Sequence, residues 1–249
     1  MTATRLTQGI AHERPVSIGL ARATLEGNLG LPAHPCGIVL FAHGSGSSCH
    51  SPRNRYVAEA LQSQGIATLL MDLLTASEEE VDQHTSQFRF NIRLLAKRLA
   101  GATTWTLRQP ELRGLGVGYF GASTGAAAAL VAAAQMPGAV AAVVSRGGRP
   151  DLAGDALGSV VASTLLIVGG YDGPVIDMNE RALAELGCAD KKMIIVPGAT
   201  HLFEEPGALE EVSRLAADWF CRHFLSRTLS EKCGSDAVRH QGGRDRDCH

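Results

Sequence analysis

The sequence predicts an α/β fold, a mainly parallel sheet covered by helices on both faces. Three observations carry that expectation. Short apolar runs alternate with segments of helical spacing along most of the chain, the pattern of repeated strand–helix units. Several runs are continuously apolar, as in strands buried on both sides. The length of 249 residues, with 45% hydrophobic content, supplies one large core.

The elements follow in order. Val16–Leu20 and Ala23–Leu31 alternate weakly and read as an antiparallel hairpin at a sheet edge. Gly37–Ala42 is a buried strand that ends in a Gly/Ser-rich loop from His43 to Ser51. Pro52 opens a helix that carries Tyr56, Val57, Ala60 and Leu61 at helical spacing. Ile66–Met71 is a strand, Phe88–Leu99 a helix, and Leu115–Phe120 a strand leading into an alanine-rich helix over Thr124–Gln135. Val140–Val144 and Thr164–Val168 are strands, followed by a helix over Met178–Leu186 and a last strand over Met193–Val196. The final helix presents Leu209, Val212, Leu215, Trp219 and Phe220 as one apolar stripe. One domain is expected over 1–229, with 230–249 a polar, disordered tail.

Composition narrows the function. With 23 basic and 25 acidic residues the chain has no basic footprint for nucleic acid and no polybasic membrane patch. Its six cysteines form no CxxC pair, so neither a zinc site nor a disulfide framework is indicated. The N-terminal residues lack the apolar run of a signal peptide, and no stretch is long enough to span a membrane. A reducing, cytoplasmic setting is expected.

Chemistry concentrates at strand ends. Gly121-Ala-Ser-Thr-Gly125 lies between a predicted strand and a predicted helix. Small residues permit a sharp turn there, and Ser123 is left projecting at the start of a helix. A serine hydroxyl is a weak nucleophile and needs a base. His201, in Pro197-Gly-Ala-Thr-His201, follows the last strand at the same sheet edge. The imidazole in turn needs a carboxylate to hold its tautomer. Asp172 stands just after the Leu165–Val168 run, and Asp151 is the rival acid. The order Ser123, Asp172, His201 is the Ser…Asp…His order of nucleophile-elbow enzymes. Two oxyanion donors are expected, the backbone N–H of Thr124 and that of Ser45 in the loop His43-Gly-Ser-Gly-Ser47, with Gly46 as the alternative to Ser45. Arg53, Arg55, Arg146 and Arg149 lie near these loops, and two readings stand for them: recognition of an acidic substrate group, or solubility and structural pairing. Cys49, with no base assigned to it, reads as a small packed residue and not as a nucleophile.

These segments resemble the α/β-hydrolase superfamily, and within it the dienelactone-hydrolase-like branch. The likeness runs from about Val16 to Leu225 and rests on FAHGSGSS (41–48), GYFGASTGAAAAL (118–130), VGGYDGPV (168–175) and PGATHLFEEPGALEEV (197–212). In the last, the histidine is followed by Phe203 and an acidic helix start, as in that branch. The resemblance implies an α/β-hydrolase sheet of about eight strands, hydrolysis through an acyl-enzyme, and no metal or organic cofactor. Dienelactone hydrolases proper carry cysteine where this chain has Ser123, which points toward a general carboxylesterase or thioesterase. About twenty residues separate Val144 from Thr164, so little or no cap is expected and the site should favour small or soluble esters. The expected partner is a small-molecule ester, with a homodimer left open. Two alternatives also stay open: an acyltransferase using the same three residues, and a non-catalytic ligand-binding protein on the same fold.

Overall fold

The structure, a computed structural model, describes residues 12–239, with side chains through Leu225. Eight strands form one sheet: β1 (His12–Leu20), β2 (Ala23–Leu31), β3 (Gly37–Ala42), β4 (Ala67–Met71), β5 (Gly116–Ala122), β6 (Val140–Arg146), β7 (Ser163–Gly169) and β8 (Lys191–Val196). Their spatial order is β1-β2-β4-β3-β5-β6-β7-β8. The β1–β2 hairpin is antiparallel and sits at one edge, β2 runs antiparallel to β4, and all remaining pairs are parallel. The helices are α1 (Pro52–Ser63), α2 (Ala76–Thr85), α3 (Ile92–Arg108), α4 (Thr124–Gln135), α5 (Gly173–Glu185) and α6 (Ala208–Arg239).

The central strands sort their side chains by the two-residue period of extended backbone. Ile38, Leu40, Tyr119, Val143 and Leu166 face the layer that holds α3, α4 and α5. Val39, Phe41, Phe120, Val144 and Ile167 face α1 and α6. Each such buried side chain contributes roughly 1.5–3 kcal/mol. The two apolar layers therefore fix strand register, because a one-residue slip would exchange every pair of faces.

Three elements differ from the sequence expectation. Helix α2 was not anticipated. Thr75 opens it with a capping box in which its hydroxyl accepts from Glu78 N–H at 3.3 Å and the Glu78 carboxylate accepts from Thr75 N–H at 2.9 Å. Helix α3 starts at Ile92, later than Phe88, because Asn91 caps it by accepting from Leu94 N–H at 3.1 Å. Helix α5 starts at Gly173, before Met178, with Pro174 in its first turn, where a missing N–H costs nothing. The β6–β7 connection holds two short 3₁₀ turns within Pro150–Ser159, separated by a kink at Gly154 (φ 52°), and no larger cap. Of the disordered tail expected from residue 230, the backbone through Arg239 continues α6, and 240–249 lie outside the described residues.

Candidate active site

The crevice follows from the order of the strands. After β3 the chain turns to α1 on one face, and after the neighbouring β5 it turns to α4 on the other. The two loops part at the C-terminal edge of the sheet, where open parallel sheets place their ligands.

Ser123 occupies the turn from β5 to α4 with φ 50° and ψ −122°. A non-glycine residue there is strained by about 1–3 kcal/mol, and such strain collects at functional sites. Both flanking glycines are needed for the turn. A Cβ on Gly121 would lie 2.4 Å from Ala126 Cα, and one on Gly125 would lie 2.1 Å from the Ala42 carbonyl oxygen. The Ser123 backbone is held on both sides: its N–H donates to Arg146 O at 3.3 Å, and its carbonyl accepts from Ala126 N–H at 3.1 Å and Arg149 N–H at 3.0 Å. The side chain is half-buried and does not cap α4.

Asp172 and His201 come together from two different loops. Gly170 N–H donates to Val196 O and Tyr171 N–H to Ala199 O, each at 2.9 Å, which fastens the loop after β7 to the loop after β8. Gly169 allows this approach, since a Cβ there would sit 2.5 Å from Ala199 O. Asp172 is the N-cap residue of α5, yet its carboxylate makes no capping bond. It accepts instead from His201 Nδ1 at 2.6 Å, with the imidazole side chain 38% and the carboxylate 14% exposed. That bond places the ring proton on Nδ1 and leaves the Nε2 lone pair free. Phe203 just beyond is fully buried at φ 56° and anchors the histidine loop in the core. The rival acid, Asp151, is engaged elsewhere, gripped by Arg149 through bonds of 2.9 and 2.8 Å.

Ser123 and His201 approach the same strand end: Arg146 O accepts the Ser123 N–H at 3.3 Å, and a Cβ on the next residue, Gly147, would lie 3.0 Å from His201 O and 3.6 Å from His201 Cε1. The Ser123 hydroxyl forms no hydrogen bond to the imidazole among the described residues. Catalytic contacts of this kind are commonly long before substrate binds.

The β3–α1 loop reaches Ser123 through Gly44, whose added Cβ would stand 3.2 Å from Ser123 Cβ. His43 pins this loop. It is buried, its Nε2 accepts from Leu73 N–H at 3.1 Å, and its Nδ1–H donates to Gly44 O at 2.9 Å. The Ser45 N–H lies beside the start of α4, where it donates to the Thr124 hydroxyl at 2.9 Å. Thr124 N–H, in the first turn of α4, has no intrahelical acceptor. A cleft of about 680 Å³ opens next to this loop, lined among others by Ser45, Gly46, Ser51, Pro52 and Arg53.

The four arginines take different roles. Arg53 bonds Glu204 at 2.8 Å, Arg55 stands 3.9 Å from Glu13, and Arg149 holds Asp151. Arg146 is buried, and its Nε and Nη1 have no partner. Cys49 packs against Asp72, and burial together with that carboxylate pushes its thiol up to about 12, which excludes a thiolate near neutrality. Among the described residues no cluster of His, Cys, Asp or Glu is placed to hold a metal, and no helix is long and apolar enough to cross a membrane.

With this geometry in hand, similarity to known proteins becomes decisive. A solved dienelactone hydrolase from Anabaena variabilis is 60% identical, superimposes with a TM-score of 0.84, and is covered over 98% of its length by 86% of this chain. The chain belongs to the dienelactone hydrolase family. Est1E from Butyrivibrio proteoclasticus, at 14% identity, shares the fold with a TM-score of 0.71 over 85% of this chain and 99% of its own. Two Mycobacterium tuberculosis proteins with the provisional name phosphoribosyl transferase are 57% identical over 212 residues, 85% of this chain. That match takes in 47% of their length, so the chain spans about half of the curated relatives it matches. No protein-family model matches the chain.

Within this dienelactone hydrolase family member, three features escaped the sequence reading. The clamp made by His43 depends on Leu73, thirty residues away. The Thr124 hydroxyl meets Ser45 N–H only because β3 and β5 are neighbours. The burial of Arg146 did leave a sequence signal: it continues the phase of Ala142 and Val144, both on the α1/α6 face of β6.

Proposed function

We propose that the chain is a serine hydrolase that cleaves carboxylic ester, thioester or lactone bonds through an acyl-enzyme, with a preference for small or soluble acyl substrates. The observation that carries this is the 2.6 Å bond from His201 to an Asp172 freed from helix capping, beside a serine at φ 50° on the same sheet edge. Ser123 Oγ attacks the carbonyl carbon while His201 Nε2 takes its proton. Asp172 holds the Nδ1 tautomer and stabilises the imidazolium. The tetrahedral intermediate collapses, the bond to the leaving alcohol breaks, and His201 returns the proton to that oxygen. Water then attacks the acyl-serine by the same relay and releases the acid.

Negative charge on the carbonyl oxygen is received by the backbone N–H groups of Thr124 and Ser45, the latter turning from the Thr124 hydroxyl to the oxyanion. The short β6–β7 connection and the exposed Tyr171 and Leu202 beside Asp172 and His201 support an open, partly apolar mouth. The transferase name of the curated relatives belongs to proteins twice as long, and this reading concerns the half that the chain spans.

A fluorophosphonate label mapped by mass spectrometry tests the proposal. A single adduct on Ser123, abolished in Ser123→Ala and strongly reduced in His201→Ala, is expected. Unimpaired hydrolysis of p-nitrophenyl acetate by Ser123→Ala would overturn it.

A further inference from the structure

Helix α3 presents two faces. Leu95, Ala96, Leu99 and Ala102 are buried in the core. A second stripe, Leu94, Lys97, Gly101, Trp105 and Arg108, recurs at spacings of three and four residues on another face. This stripe and the β1–β2 turn line an open groove of about 550 Å³. Gly101 permits the close approach, since a Cβ there would lie 2.9 Å from the Leu20 side chain. The volume is that of a small-molecule site, and the groove shares no lining residue with the 680 Å³ cleft beside the oxyanion loop.

The charged lining of this groove is wholly basic: Arg22, Lys97, Arg98 and Arg108, with no carboxylate. Glu78 neutralises Arg98 at 2.6 Å, and Glu111, just past the end of α3, is taken by Arg14 at 2.6 Å. Arg22, Lys97 and Arg108 form no ion pair among the described residues. Arg108 lies in the last turn of α3, where the half negative charge of the helix end offsets it in part. Arg22 and Lys97 therefore carry the uncompensated charge. Lys97 and Arg108 stand about 16 Å apart along the helix axis, so one head group cannot meet both.

The rest of the lining is apolar or already satisfied. Leu20, Leu94 and the half-buried Trp105 ring offer hydrocarbon surface. The Thr104 hydroxyl donates to Ala100 O at 3.1 Å and the Gln109 amide to Trp105 O at 3.1 Å, so both are spent within α3. A peptide segment would find few partners here for its backbone groups, whereas an alkyl chain needs none. Spread over the roughly 21 Å from Leu94 to Arg108, the volume leaves a section about 5 Å across, the width of one extended chain. We propose that the groove between α3 and the β1–β2 turn binds a single-chain anionic amphiphile, its head group at Arg22 and Lys97 and its alkyl chain laid past Gly101 toward Trp105. This site is separate from Ser123 and stands whether or not the hydrolase reading does.

Calorimetric titration of the full chain with octanoate, decanoate and dodecanoate, each below its micellar concentration, tests the site. Affinity should rise about two- to threefold for each CH₂ added. Decanoate should bind at least about threefold tighter than 1-decanol and about tenfold tighter than decyltrimethylammonium. Arg22→Gln and Lys97→Gln, both at exposed positions, should together weaken decanoate about tenfold and leave 1-decanol unchanged, whereas Arg108→Gln should cost less than about twofold. Tryptophan emission gives the location. Trp219, the chain's other tryptophan, is buried and donates to Ser163 O at 3.2 Å, so a shift on binding should come from Trp105. Trp105→Phe should abolish that shift and keep the heat of binding. A shift that persists in Trp105→Phe places the ligand elsewhere and overturns the site. Absence of binding, affinity that is flat with chain length, equal affinity for decanoate and 1-decanol, or a larger loss in Arg108→Gln than in Lys97→Gln overturns it as well.

Discussion

Gly125→Ala tests whether the Ser123 turn is set by packing. A Cβ at Gly125 would lie 2.1 Å from Ala42 O and 2.5 Å from His43 O. Both are backbone atoms, and Ala42 is fixed in register against Gly121 by the β3–β5 ladder. Ordinary contact begins at 3.4 Å, so α4 and the end of β3 would have to separate by about 1.3 Å. Overpacking of this kind costs about 1–3 kcal/mol, and rigid neighbours place this site at the upper end. At about 2–4 °C per kcal/mol for a domain of this size, Tm should fall by about 6–12 °C. A shift of about 1 Å in a reacting group costs on the order of 10²-fold in rate, so fluorophosphonate labelling of Ser123 should slow by a similar factor. Gly158→Ala is the control: its Cβ would meet nothing within 4 Å and its φ is not positive, so Tm should stay within about 2 °C. Differential scanning calorimetry and labelling kinetics measure the two effects. Gly125→Ala with a Tm within about 2 °C of the parent and undiminished labelling would refute the packing account.

Other expectations follow from the same contacts. Asp172→Asn should lower kcat by on the order of 10³–10⁴ because the amide favours the wrong imidazole tautomer, whereas Asp151→Asn, which only loosens a surface fork on Arg149, should cost less than about threefold. Steady-state kinetics in which Asp151→Asn costs more than Asp172→Asn would reverse the assignment. Cys49→Ser should keep esterase activity, and iodoacetamide at pH 8 should leave Cys49 unmodified, since burial and Asp72 hold the thiol near 12. Asp82 is desolvated, which alone would raise its pKa, but bonds from Phe88 N–H, Arg89 N–H and the Arg89 guanidinium outweigh that and hold it below the ordinary carboxylate value. Its folded pKa being the lower one, its stabilisation is full above the unfolded value near about 3.9 and is lost as pH falls through the folded value. Urea titrations across the acid range should show Asp82→Asn less stable at pH 7 and flatter below pH 4 than the parent.

Strands and long helices were legible because their signals are local. The continuous run Gly37–Ala42 can satisfy itself only with a neighbour on each side and an apolar layer above and below, and it holds the centre of the sheet. The weakly alternating hairpin, with exposed Ser17 between buried Val16 and Ile18 and exposed residues before Val16, lies at an edge. Helix α2 was missed because its pattern is polar: Asp82 is its buried residue, held by bonds to residues 88 and 89 and not by an apolar stripe. The capping sequence Thr75-Ala-Ser-Glu78 did announce its start. The start of α3 is set by the Asn91 cap and that of α5 by Pro174 in its first turn, signals that periodicity does not carry.

The site divides along the same line. Ser123, Asp172 and His201 each follow a strand, so the rule that ligands gather at the C-terminal edge of a parallel sheet could gather them before any coordinate was known. What that rule cannot supply is the state of each side chain on arrival. Asp151 and Asp172 both follow strands and both carry a carboxylate, yet one is spent on Arg149 and the other is held for His201. The four arginines are alike in sequence, and only packing separates three paired ones from Arg146. Reaction type in such a fold is written in the order of strand-end residues. Packing likewise leaves the Nε and Nη1 of Arg146 without partners beside Ala122, the residue before Ser123, a state that its place in the sequence does not reveal.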